Sequence, residues 1–126
     1  MAAIVQMHEG VAIKKFDIKK PLIRIGRKAN HDIFIDDKVV STEHAIIETI
    51  ADPKQKNKTS HYIQDLESTN KTYVNGEAIT RVKLTNNDTI RIGWVTFKFV
   101  ESIDSDTEKT LKIHKSWIPG VYYTKE

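Results

Sequence analysis

The chain of 126 residues has no cysteine, so neither a disulfide framework nor a thiolate metal site is available to it. It has only 3 prolines and 5 glycines, no apolar run long enough to cross a bilayer as a helix, and no stretch that reads as a secretory signal. Charge of one sign is scarce as well. Against 17 Asp and Glu stand 20 Lys and Arg, a formal net charge of +3, which favours anionic partners in general without selecting nucleic acid. These absences lead us to expect a cytoplasmic protein, or a nuclear one in a eukaryote. A long amphipathic helix is missing too: no stretch before residue 101 holds a 3.6-residue apolar period for three turns. With 39% hydrophobic residues, the length suffices for one domain with a core and is short for two.

What the chain does have is a series of short β-like segments. Residues 5–8 and 11–18 alternate loosely about a Glu9-Gly10 turn and read as a hairpin; after Pro21 the pattern resumes at 22–25. Further segments fall at 33–35, 45–50, 62–64, 72–74, 82–84, 89–92 and 95–100, separated by clusters of Asn, Asp, Gly, Lys or Ser. Asn75-Gly76, between Tyr73-Val74 and residues 77–79, predicts a type I′ hairpin, because that turn needs positive φ at both central residues. The expected fold is an all-β sandwich. From residue 101 the composition shifts. Residues 101–108 carry four acids and no base, and a basic stretch follows at 109–115. We therefore expect a folded domain over 1–100 and an acidic linker with an aromatic C-terminal extension over 101–126. Trp117, Tyr122 and Tyr123 make the segment 117–123 too aromatic for an ordinary tail, so it is expected to dock on its own sandwich or on a partner.

Four polar clusters stand between the β segments: Gly26-Arg27, then Ser41-Thr42-Glu43-His44, then Ser68-Thr69-Asn70-Lys71-Thr72, then Val74-Asn75-Gly76. In this order they resemble the signature of the forkhead-associated (FHA) domain, a reader of phosphothreonine. The resemblance spans roughly residues 7–100. It implies a β-sandwich of about eleven strands with the binding loops at one apex, and a phosphothreonine-dependent interaction module that recruits phosphorylated partners. A phosphomonoester is a near-dianion with acceptor oxygens only, so its site needs donors, at least one of them cationic. By the resemblance, Arg27 grips the phosphate, Ser41 hydrogen-bonds it, Thr69 adds a third contact and Asn70 holds the ligand main chain. Gly26 and His44 support the site, the histidine pinning the loop that presents Ser41; Asn75 and Gly76 support it through backbone geometry.

Two positions depart from the pattern. Thr42 stands where many members carry a basic residue or asparagine, so one auxiliary contact is weaker, with Lys28 or Lys38 the expected compensation. Lys71 stands where glycine is common; if the backbone keeps positive φ there, the lysine bears about 1 to 2 kcal/mol of strain. The resemblance implies no cofactor and no metal. Catalysis is not expected either, because no carboxylate pair, metal cluster or nucleophile elbow stands out, and no motif arranges Ser41, His44 and Asp65 as a triad. The expected partner is a phosphothreonine protein or peptide. Self-association through phosphorylated Thr110, with Ile113 three residues on, is a further route. Membrane is not expected. Two other readings stay open: an FHA-like scaffold docking partners without phosphate, through a sheet face or the aromatic segment, and a single-stranded nucleic-acid binder. The latter is disfavoured because Tyr62, Tyr73 and Trp94 are not interleaved with basic residues in one segment.

Overall fold

The computed structural model describes residues 2–55 and 58–101. Among them are eleven strands and no helix: β1 (Ala3–His8), β2 (Val11–Asp17), β3 (Leu22–Gly26), β4 (Ile33–Phe34), β5 (Ala45–Ala51), β6 (Thr59–Asp65), β7 (Thr72–Val74), β8 (Glu77–Ile79), β9 (Arg81–Lys83), β10 (Thr89–Ile92) and β11 (Val95–Val100). They form a six-stranded sheet in the order β2-β1-β11-β10-β7-β8 and a five-stranded sheet in the order β4-β3-β5-β6-β9. The short β4 runs parallel to β3, and the other pairs are antiparallel.

Alternation along the strands builds the core. In β3, Ile23 and Ile25 are buried while Leu22 and Arg24 are exposed; β10 buries Ile90 and Ile92, and β11 buries Phe97 and Phe99. These side chains meet Ile47, Ile63, Ile33, Leu84 and Ile4 in one cluster between the sheets. Each such side chain contributes about 1.5 to 3 kcal/mol by leaving water. Phe16 meets Phe97 edge to face, with centroids 6.5 Å apart, and so ties β2 to the same layer.

The strand bounds follow pairing more than apolarity. β6 begins at Thr59, ahead of the apolar residues, because Ala51↔Thr59 and Ile50↔Ser60 continue its ladder with β5. β9 starts at Arg81, set by the pair Gln64↔Arg81, while Leu84 leaves the ladder to enter the core. The Asn75-Gly76 turn has φ of 52° and 87°, the two left-handed residues that a type I′ turn requires.

The registers also decide which loops meet. Ile25↔Ala45 and Ala45↔Asp65 put the end of β3, the start of β5 and the end of β6 at one end of the five-stranded sheet. Ile92↔Thr72 puts the end of β10 beside the start of β7 at the same end of the other sheet, where loop 66–71 crosses between the sheets. Loops 27–32, 35–44 and 66–71 and the turn 93–94 therefore share one apex. The Asn75-Gly76 turn and loop 85–88 lie at the opposite end.

Candidate functional site

The apex is organised around Ser41, whose three polar groups each serve a different loop. Its N–H donates to His44 Nδ1 (3.1 Å), its carbonyl accepts from the Arg27 N–H (3.1 Å), and its hydroxyl oxygen accepts from the Thr69 N–H (3.1 Å). Because one lone pair of that oxygen is used by Thr69, the hydroxyl proton can be given to an anion. Arg27, Ser41 and Thr69, far apart in sequence, are thus joined directly.

His44 is completely buried behind this loop. Its Nδ1 accepts from Ser41, so Nε2 carries the proton, and that N–H donates to the carbonyl of Lys71 at 3.0 Å. One imidazole therefore pins loop 35–44 to loop 66–71. Lys71 has φ of 68° and Glu67 has φ of 56°, both in the left-handed region that disfavours a side chain. The left-handed backbone on which the expected strain at Lys71 depends is present.

Gly26 is needed for space. Its φ is not left-handed, but a Cβ there would lie 2.1 Å from the Thr42 carbonyl oxygen and 2.8 Å from His31 Cδ2. The close approach lets the Arg27 N–H reach the carbonyls of both Ser41 and Thr42, at 3.1 and 3.2 Å, which fixes the point where the arginine side chain departs. Arg27 is exposed, and among the described residues no hydrogen bond or ion pair engages its guanidinium. Lys28 is differently placed: its Nζ lies 3.7 Å from Glu43, whose carboxylate also gathers Arg24 at 3.7 Å and His31 at 3.3 Å. Thr42 is exposed and serves through its carbonyl, which accepts from Arg27 and from His31 Nε2 (2.9 Å). Lys38 is exposed on loop 35–44. Thr69 and Asn70 are exposed at the rim, and the Asn70 amide donates to the Val39 carbonyl at 2.8 Å, which leaves its Oδ1 as an acceptor not engaged among the described residues.

The structure brings Gly26, Arg27, Lys28, Ser41, Thr42, His44, Thr69 and Asn70 together, and places Asn75 and Gly76 elsewhere. Asn75 closes the far end of the six-stranded sheet, where its side chain donates to Asp88 (2.9 Å) and accepts from the Thr89 N–H (2.9 Å). Its support of the apex is limited to the placement of β7. Asp88 accepts from Thr85 as well; burial opposes its charge, but these hydrogen bonds outweigh it and hold the carboxyl below its ordinary pKa.

Other contributors were not read from the sequence. Asp65 accepts from the Ser68 N–H (3.1 Å), the Ser68 hydroxyl (2.5 Å) and the Thr72 hydroxyl (2.8 Å), forming the floor of loop 66–71. The Asp-x-x-Ser spacing is a local turn signal that could have found the first two contacts. His31, buried under Gly26, carries no such signal. Among the described residues, no group of three or more His, Cys, Asp or Glu side chains is placed to hold a metal ion.

The family description that matches the chain is the FHA domain, over residues 23–93. The glycogen accumulation regulator GarA of Mycolicibacterium smegmatis is 33% identical over 92 residues, covering 73% of this chain and 54% of that protein. The oxoglutarate dehydrogenase inhibitor of Corynebacterium diphtheriae is 32% identical over 87 residues, covering 69% and 56%. The chain thus spans a little over half the length of these curated relatives. Among solved structures, Mycobacterium tuberculosis EmbR in complex with a low-affinity phosphopeptide superposes with a TM-score of 0.69 at 31% identity, covering 82% of this chain and 25% of that one.

Proposed function

The chain belongs to the FHA domain family, and from that premise we propose that its apex binds phosphothreonine on partner proteins, acting as a regulatory interaction module without catalysis of its own. The observation that carries the reading is the pairing of an unengaged guanidinium with a fixed hydroxyl: Arg27 projects from a backbone bonded to Ser41, and Ser41 is held by Thr69 and His44. A dianionic phosphate placed there receives a forked charged donor and a hydroxyl donor with no rearrangement of the backbone. Asn70, exposed and with its Oδ1 not engaged among the described residues, is assigned to the ligand main chain. Lys28 is assigned a secondary role because its Nζ lies 3.7 Å from the Glu43 carboxylate, whereas the Arg27 guanidinium has no such partner among the described residues.

The relatives' names, a regulator of glycogen accumulation and an inhibitor of oxoglutarate dehydrogenase, support a partner that is itself a protein under control. No helix among the described residues is long and apolar enough to cross a membrane, and the bacterial relatives support placement in the cytoplasm. Residues 102–126, including Thr110 and the aromatic segment, lie outside the described residues. The self-association route through Thr110 stands as a proposal for a peptide titration of its own.

The test is calorimetry with a degenerate phosphothreonine peptide library, its phosphoserine counterpart and its unphosphorylated counterpart. Arg27→Ala should lower affinity for the phosphothreonine peptides at least about tenfold, since a charge-assisted contact is worth roughly 1.5 to 3 kcal/mol. The domain should stay folded, as this side chain is exposed. Equal binding of phosphorylated and unphosphorylated peptides would instead favour the phosphate-independent scaffold.

A further inference from the structure

The two sheets do not close on one side. β2 ends the six-stranded sheet and β4 ends the five-stranded one, and β4 has only two residues, paired as Ile25↔Ile33 and Gly26↔Phe34. The first half of β3 therefore has no strand partner on that edge, and the Arg24 N–H donates instead to the Asp32 carboxylate at 2.9 Å. The gap left between β2 and β3 is a cleft of about 420 Å³ lined by Ile4, Phe16, Ile18, Ile23 and Ile33, with Lys19 and Lys20 among the charged residues beside them. None of its lining residues belongs to the apex cluster of Arg27, Ser41, Thr69 and Asn70.

The chain leaves the described part of the fold close to this cleft. Val100 pairs with Ala3 and Ala3 with Asp17, so the ends of β11, β1 and β2 stand in one row, and the Ile18 N–H donates to the Ala2 carbonyl at 2.9 Å. With neighbouring strands about 4.8 Å apart, Glu101 stands about 10 Å from Ile18. Its place is fixed, because Glu101 and Asn86 exchange hydrogen bonds of 2.9 and 3.1 Å. Sixteen residues lead from Glu101 to Trp117, and a chain of that length reaches up to about 50 Å when extended, several times the distance needed. The charges match in the order the chain meets them. Lys15 pairs with Asp17 and Lys20 with Asp32, so Lys19 is left without an ion-pair partner among the described residues, and the first stretch to pass it, 101–108, carries four acids and no base. The segment 117–123 carries no charge and holds Trp117, Ile118, Val121, Tyr122 and Tyr123.

We propose that the cleft between β2 and β3 is the docking site of this chain's own segment 117–123, which seats Trp117 and its apolar neighbours there while residues 101–108 pass Lys19. Covering the cleft removes apolar area on both sides and shields β2, a strand whose outer edge is unpaired. The same chain is favoured over a second copy because the tether at Glu101 holds the segment at an effective concentration of about millimolar. Arg27 and Ser41 stay open to a phosphate, and the inference does not rest on the phosphothreonine reading.

Two measurements on the full chain test it. The chain has two tryptophans, and Trp94 is 80% exposed. Trp117 alone, in Trp94→Phe, should be at least about threefold less accessible to acrylamide than Trp94 alone, in Trp117→Phe, the ratio expected when a cleft covers about 70% or more of a seated side chain. The absence of cysteine also lets a nitroxide be attached at Ser116→Cys or, in a second protein, at Thr124→Cys. In the nuclear magnetic resonance spectrum either label should broaden the amides of Phe16, Ile18, Lys19, Ile23 and Ile33 more than that of Asn86, which stands beside the exit point, and Trp117→Ala in the labelled chain should abolish that preference. A one-to-one mixture of labelled chain with unlabelled, isotope-enriched chain should show no broadening. The inference is overturned if Trp117 is quenched as readily as Trp94, if both labels broaden Asn86 as strongly as the cleft, if they broaden Ser41 and Thr69 instead, or if the mixture broadens as the single chain does, which assigns the cleft to a second copy.

Discussion

Replacing His44 tests the link between fold and site most directly, because one buried ring serves both. In His44→Ala the Ser41 N–H and the Lys71 carbonyl lose their partners, and the space of a completely buried imidazole opens beside Asp65. A buried polar group left unsatisfied costs about 1 to 3 kcal/mol, and truncating a buried ring to alanine costs about 3 to 5 kcal/mol. These costs overlap, since water entering the space partly satisfies the orphaned groups, so the expected loss is about 3 to 5 kcal/mol. Against a total of about 5 to 15 kcal/mol the variant remains folded only with a reduced margin. Urea unfolding followed by circular dichroism measures the loss.

Phosphothreonine affinity is then read at a temperature where the folded fraction is high. Without His44, Ser41 itself keeps only its bonds to Arg27 and Thr69, and the affinity should fall about tenfold, equivalent to roughly 1.4 kcal/mol of lost preorganisation. Two conservative variants separate the bonds. An asparagine amide can place its oxygen near the Nδ1 position and a glutamine amide can place its nitrogen near Nε2, so His44→Asn should restore binding more than His44→Gln. A His44→Ala protein within 1 kcal/mol of wild type, or a glutamine that rescues binding better than asparagine, would refute the assignment.

Two further perturbations probe the frame around the apex. Lys71→Gly should stabilise the domain by about 0.5 to 1 kcal/mol, the relief of left-handed strain less the entropy that glycine gains when unfolded, and raise the thermal midpoint by about 2 to 8 °C; a lower midpoint would show that the lysine side chain makes up for its φ of 68°. Asp88, held below its ordinary pKa by its hydrogen bonds, contributes stability that is fully present above the unfolded-state value near 3.8 and is lost as pH falls through the lower folded value. The thermal midpoint of Asp88→Asn should accordingly start lower at neutral pH and fall less steeply below pH of about 4 than that of the wild type, and parallel profiles would remove Asp88 from the acid limb.

The strands were legible because the two-residue period is carried by residues that end up on one face, as Ile23 and Ile25 in β3 or Phe97 and Phe99 in β11. Turn chemistry was equally plain at Asn75-Gly76, since few residues other than asparagine and glycine tolerate φ of 52° and 87° in sequence. What sequence could not supply is whatever depends on two loops meeting. Glu43 reads as one more surface acid, yet in space it gathers Arg24, Lys28 and His31 and so takes Lys28 out of the first rank of donors. Asn75 and Gly76 lie close in sequence to Asn70 and are carried to the opposite end of the domain, because β7 is a strand between them. The need for Gly26 was visible, its reason was not: the constraint is the Thr42 carbonyl, sixteen residues on, rather than a left-handed backbone.

The division of labour between Arg27 and Ser41 has a consequence for affinity. Ser41 spends its N–H, its carbonyl and one hydroxyl lone pair on three loops, so under the proposed function its hydroxyl is held in place before a phosphate arrives. Little ordering entropy is then left to be lost there on binding. The Arg27 side chain is the opposite case: its backbone is clamped by Ser41 and Thr42, but its guanidinium is exposed and has rotamer freedom to lose when it closes on the ligand. Binding should therefore owe its charge dependence to Arg27 and its geometric selectivity to the Ser41 hub. The two separate by salt: an Arg27 defect should shrink as ionic strength rises and screens the wild-type contact, while a His44 or Ser41 defect should persist, because a displaced hydroxyl is not restored by screening.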